Sequence, residues 1–245
     1  MATPLTVLLY ASIAALSAIP GGLVRWSAEP GRDRWLGWAH ALAAGGMLGA
    51  AFVLTGVSDA AAGAGAIGAA LGVAFIVATH TMTRLDTLDL SRPDRDDPSA
   101  APRLVALHAL HACTEGVAIG VAMAVDLSLG VFMAVAIAVH NVPEAALLSS
   151  ATRRQGAGRA GTVGLVVLSN IGQPALAVAT WFVVATMPAT LPWVLGFAVG
   201  ALLNLVMTEL LPASYREAGS TSIALVASVA LALVVLLGGI LPGGT

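Results

Sequence analysis

The 245-residue chain is 58% hydrophobic and only 10% charged, with a formal net charge of −2. A soluble domain is about a quarter charged, so there are too few charges here to cover a water-exposed surface, and the composition indicates a polytopic membrane protein. No basic patch offers a footing for nucleic acid, and the single cysteine, Cys113, rules out an internal disulfide.

A hydrocarbon core of about 30 Å takes ~20 apolar residues per helix. In chain order, eight runs reach that length: residues 4–24, 36–57, 62–83, 103–125, 128–151, 160–184, 190–212 and 220–241. The first, within MATPLTVLLYASIAALSAIPGGL, lacks a basic leading segment and reads as a spanning helix rather than a cleaved signal. Abundant Gly and Ala suit close approach between membrane helices. The expected architecture is a single all-α membrane domain over residues 1–245. Residues 84–102, between helices 3 and 4, form its one long polar loop. Its aspartates read as a solvated segment, with weak metal collection as the alternative.

Lysine is absent, and the eleven arginines fall in alternate connections. Arg25, Arg32 and Arg34 lie between helices 1 and 2. Arg84, Arg92, Arg95 and Arg103 lie between helices 3 and 4. Arg153, Arg154 and Arg159 lie between helices 5 and 6, and Arg216 lies between helices 7 and 8. With eight helices all of them share one side, which the positive-inside rule makes the cytoplasm. Both termini then face out and the acidic loop faces in. The Ala/Gly/Arg-rich, lysine-free composition points to a GC-rich bacterial genome and hence to the inner membrane.

Few ionisable groups remain at membrane depth: His108, His111 and Glu115 in helix 4, His140 and Glu144 in helix 5, and Glu209 in helix 7. His40 and His80 sit toward the cytoplasmic ends of helices 2 and 3. A charged group at the bilayer centre costs at least about 2.5–3.5 kcal/mol, so such residues pair or face a polar path. HACTEG (111–116) and HNVPEA (140–145) each place a histidine four residues before a glutamate, on one helix face. Helices 4 and 5 are antiparallel neighbours joined by the short segment DLSLG, so both pairs reach mid-membrane together. Two imidazoles and two carboxylates suit Zn²⁺ or a similar divalent ion. Pro143 removes a backbone hydrogen bond beside the pair and is expected to kink helix 5. Cys113 lies on another face and reads as packing. Asp126 reads as a solvated residue at the outer mouth.

HACTEGVAIGVAMA followed by AVHNVPEAALL resembles the fourth and fifth helices of the ZIP (Zrt/Irt-like) family of divalent metal transporters. SNIGQP (169–174) is similar to that family's helix 6 motif. GALLNLVMTELLPASYREAG (200–219) resembles its helix 7, and ALAAGGMLGAAFVL its helix 2. The resemblance implies a bundle of helices 1, 4, 5 and 6 moving against helices 2, 3, 7 and 8 in an elevator cycle. It further implies transport of Zn²⁺, Cd²⁺, Fe²⁺ or Mn²⁺ into the cytoplasm, usually by a homodimer among membrane lipids. It gives the first metal site as His111, Glu115, His140 and Glu144, and a second built from Asn141 and Gln173 together with the two glutamates. Ala112 stands where the family has Asn, and Gln173 where it has Glu, so the second site is expected to be impaired. Thr114 replaces a proline, which softens the kink expected in helix 4. His108, Glu209, His40 and Asp126 are candidate residues of the ion path. An intramembrane hydrolase would need H-E-x-x-H or a spare general base, which the chain lacks, so no enzyme is expected. The alternative to a transporter is a transport-inactive metal sensor or partner subunit.

Overall fold

The computed structural model describes residues 2–23, 32–56, 62–83 and 100–240. The expected loop at 84–102 lies outside them up to residue 99, as do Arg25, Arg84, Arg92 and Arg95. Among the described residues every regular element is helical, and eight stretches are long and apolar enough to span a bilayer. They are α1 (Pro4–Leu23), α2 (Gly37–Thr55), α3 (Gly63–Thr83), α4 (Pro102–Val125), α5 (Leu127–Arg153), α6 (Arg159–Thr186), α7 (Pro188–Arg216) and α8 (Ser220–Ile240). Helix is what such a composition demands, because lipid offers no partner to a backbone amide. The polarity of the molecule is inverted accordingly. Leu5, Phe52, Phe182, Leu236 and Ile240 point outward, while His111, Glu115, His140, Asn141 and Gln173 are buried.

The spans agree with the sequence reading to within a few residues, but three of them are interrupted. α1 breaks at Ser17, three residues before Pro20, and α6 breaks at Ile171, three before Pro174. In α7 a π-turn, Val206–Leu210, precedes Pro212. The cause is shared: a proline ring collides with the carbonyl four residues back and leaves it without an amide donor. The helix of α5 nevertheless runs as one element through Pro143. α4 is also continuous, and Thr114 Oγ1 donates to the His111 carbonyl at 2.8 Å. The expected DLSLG connection reduces to Asp126 alone, which caps α5 by accepting from the Ser128 and Leu129 amides. This tight hairpin fixes α4 and α5 antiparallel and in register.

The most extensive packing joins α4 to α6, α3 to α7, and α2 to both α7 and α8. Glycines four apart permit it. A Cβ at Gly72 would stand 2.2 Å from the Phe197 carbonyl, and one at Gly200 of α7 would stand 2.1 Å from that of Ala69. Gly116 and Gly120 do the same for α4, each 2.3 Å from a carbonyl of α6, at Gln173 and Ala177. Without side chains in between, the backbones meet directly, the small-xxx-small packing of membrane helices.

Candidate metal centre

The centre lies where α4, α5 and α7 meet. Helical spacing puts His140 and Glu144 on one face of α5, and His140 Nε2 is 3.0 Å from Glu144 Oε2. The same nitrogen is 3.1 Å from Glu115 Oε1 on α4. Glu115, His140 and Glu144 therefore offer ligand atoms to one point. These atoms are close without being hydrogen-bonded. Both His140 nitrogens, Glu115 Oε1 and Glu144 Oε2 are buried and find no partner of suitable geometry. Buried polar groups are ordinarily satisfied, and orphans that converge call for an explanation. A divalent cation supplies it, since imidazole and carboxylate lone pairs can all point at one ion and its charge offsets two carboxylates.

His111 was expected in the same set and is only partly there. Its Nδ1 is 3.7 Å from Glu144 Oε1, while its Nε2 is 3.1 Å from Glu209 Oε1 on α7. It thus groups with His80 and Glu209, whose side chains are in direct contact with each other. The sequence pairs His111 with Glu115 by spacing on one helix; the fold offers a carboxylate from a third helix, and the ring turns toward it.

His108 stands behind Glu144, with Nδ1 3.3 Å from Oε1. Its other nitrogen faces Asn170 Nδ2 at 3.1 Å, and that same amide donates to the Val166 carbonyl at 2.8 Å. A carbonyl can only accept, so the Asn170 side chain must present its NH₂ there. It therefore donates to His108 Nε2 as well, which leaves the imidazole proton on Nδ1, aimed at Glu144. Outer partners of this kind hold a carboxylate in position. Asn170 escaped the sequence reading although SNIGQP contains it, because only the interruption of α6 at Ile171 brings its side chain beside α4.

Asn141 and Gln173 meet each other. Asn141 Nδ2 donates to Gln173 Oε1 at 3.3 Å and to the Ala14 carbonyl, next to the break in α1, at 2.8 Å. Asn141 Oδ1 and Gln173 Nε2 have no hydrogen-bond partner. His40 is buried in α2, outside both His/Glu groups, and Asp126 is occupied as a helix cap.

No family model matches the chain. Over 233 residues, 93% of its length, it is 26% identical to an Arabidopsis thaliana protein named as a candidate zinc transporter, of which it spans 37%. Over 108 residues, 44% of its length, it is 33% identical to the zinc transporter GufA of Myxococcus xanthus, spanning 42% of that protein. The chain thus covers about two fifths of the length of each of these relatives. Its similarity to two proteins named as zinc transporters, and not as enzymes, supports the resemblance to the ZIP family that the motifs of α4 and α5 carry.

Proposed function

We infer that the protein carries a divalent metal ion, Zn²⁺ foremost, across a bacterial inner membrane into the cytoplasm. The observation that carries this reading is the convergence of buried, unsatisfied lone pairs from Glu115, His140 and Glu144, with His111 alongside. An ion leaving water must replace its hydration shell. Two carboxylates and two imidazoles on α4 and α5 provide the replacement and offset its charge. The arginines gather at alternate connections, which supports a cytoplasmic assignment for that end.

Movement follows from where the ligands sit. The four residues lie on α4 and α5, which pack with α1 and α6; α7 packs with α2 and α3, and α8 with α2, and the two sets touch where α5 meets α2 and α4 meets α7. In our reading the first group travels as one body against the second and takes the ion with it. The partner site is weak, because Gln173 and Asn141 are neutral amides engaged with one another. The similarity to zinc transporters supports Zn²⁺ as cargo.

The test is Zn²⁺ entry into proteoliposomes loaded with a metal-sensitive dye. The native protein is expected to give flux and Glu144→Ala to give none above empty vesicles. A native protein that binds Zn²⁺ but moves none would overturn transport and leave a metal-binding sensor or partner subunit.

A further inference from the structure

We propose that the arginine-bearing connection between α5 and α6 binds the phosphate of an anionic phospholipid, whose acyl chain lies along an exposed glycine stripe of α6. The site lies at the end of these helices and is independent of the metal reading.

The charge pattern singles out this connection. Arginines in the other alternate connections stand among acids: Glu29 and Asp33 between α1 and α2, the aspartates of residues 84–102 between α3 and α4, and Glu217 between α7 and α8. Arg153, Arg154 and Arg159 have no such company, since no acidic residue occurs between Glu144 and Glu209. Acids count little toward orientation. Their exclusion here therefore points past topology, to an anion that the arginines meet.

The local geometry leaves donors for that anion. The helix of α6 begins at Arg159, and its cap position is Gly158, which offers no side chain to the first amides. Free amides and the helix dipole together attract phosphate to such a start. Arg153 reaches from α5 to α1 and donates through Nη2 to the Gly22 carbonyl at 3.0 Å. Its Nε is buried and has no acceptor among the described residues. Thr162, in the first turn of α6, is 0% exposed, and its Oγ1 likewise has no partner there. Both residues border Gly22: a Cβ on that glycine would stand 3.8 Å from the Val163 side chain and 3.4 Å from that of Val166. A guanidinium edge and a hydroxyl without acceptors mark the inner wall of an anion site. Arg159 is exposed at its rim.

An apolar track leads away from the arginines. Gly161, Gly164, Leu168 and Ile171 recur at spacings of three and four, and all are exposed. A Cβ added at Gly158, Gly161 or Gly164 would meet no atom within 4 Å. The first turns of α6 thus present bare backbone, a shallow trough that Leu168 and Ile171 continue toward mid-membrane. Head and tail of one amphiphile are served end to end. A second copy of this chain could also pack on a small-residue stripe. In a two-fold pair it would bring a second set of arginines to the same place, and like charges oppose that. An anionic lipid is favoured by them, as at other basic pockets between membrane helices.

The test is native mass spectrometry of the purified full chain in detergent, titrated with phosphatidylglycerol and, separately, with phosphatidylcholine of the same acyl chains. Gel filtration confirms that each variant is folded. Phosphatidylglycerol is expected to bind more than about tenfold tighter. At about a factor of five per arginine, Arg159→Gln should weaken it about fivefold, and Arg153→Gln with Arg159→Gln more than about tenfold, with phosphatidylcholine unchanged. Gly161→Leu with Gly164→Leu fills the trough and should weaken both lipids. Equal affinity for the two lipids in the native chain would overturn the proposal, as would native phosphatidylglycerol binding by both arginine variants or by the glycine double variant. Displacement of the lipid by an equal concentration of inorganic phosphate would leave a free-phosphate site instead. A dimer that the glycine double variant dissolves would assign the stripe to a second copy and overturn the lipid. Arg159 is exposed, so Arg159→Gln decides the matter should Arg153→Gln loosen α1.

Discussion

Glu144 is the residue on which most of the site's polar contacts depend. One oxygen faces His108 and His111, the other faces His140, and its carboxylate is the common neighbour of three imidazoles. Which of them can donate to it and which must keep a lone pair for a metal is decided by their other nitrogens. For His108 the answer is fixed by Asn170, which occupies Nε2 and leaves the proton facing Glu144. His108 therefore orients the carboxylate instead of ligating. Asn170→Leu keeps the volume but removes the donor, so the ring loses its single tautomer. We expect Zn²⁺ affinity to fall about 10–100-fold, the usual penalty for losing an outer partner, with the melting temperature in detergent little changed. Unaltered affinity would mean that His108 does not position Glu144. At this scale the sequence showed half of the centre. The two H-x-x-x-E pairs were legible because an α-helix brings residues four apart together. Asn170 and the pairing of His80 with Glu209 were not, because nothing in the spacing of one helix reports its neighbour.

Among the elements, the eight spans were readable from apolar length, yet the interruptions that shape the site were not read. Their signal was present. Pro20, Pro174 and Pro212 each follow a break or a π-turn by a few residues, whereas the proline that was singled out, Pro143, leaves its helix unbroken. A proline states that a carbonyl is freed; whether the helix opens there depends on who satisfies that group. Beside the break in α1, Ser17 Oγ and Asn141 Nδ2 both donate to the Ala14 carbonyl. Glycine pairs set the remaining geometry. Gly200 holds α7 against α3, and so holds Glu209 near His80. Gly200→Leu would drive a side chain into the Ala69 backbone. We expect a stability loss of about 1–3 kcal/mol, the range for overpacking, read as a lower melting temperature in detergent. Gly164→Ala is the control. No neighbour lies within 4 Å of the added methyl, so the melting temperature should hold or rise. Equal effects from both would show that the α3–α7 contact is not as close as the fold makes it.

For the whole molecule, the distribution of charge carries an argument that no single site does. A membrane protein has two ends, and the helix count decides which connections share one. With eight spans, the connection after α5, around Gly158, and the one after α6, around Met187, must open on opposite sides. The first carries Arg153, Arg154 and Arg159; the second carries no charge. The arginine bias therefore predicts Gly158 in the cytoplasm and Met187 outside. Both positions are exposed, so each is suited to a cysteine probe in a Cys113→Ala background. Met187→Cys should react with a membrane-impermeant maleimide in intact cells. Gly158→Cys should react only after the membrane is permeabilised. The reverse pattern would invert the protein. Labelling of both from one side would mean that α6 does not cross at all, which would remove Gln173 and Asn170 from mid-membrane and undo the shape of the centre. The orientation of the chain is thus testable from the arginine-bearing and charge-free connections alone, before any ion flux is measured.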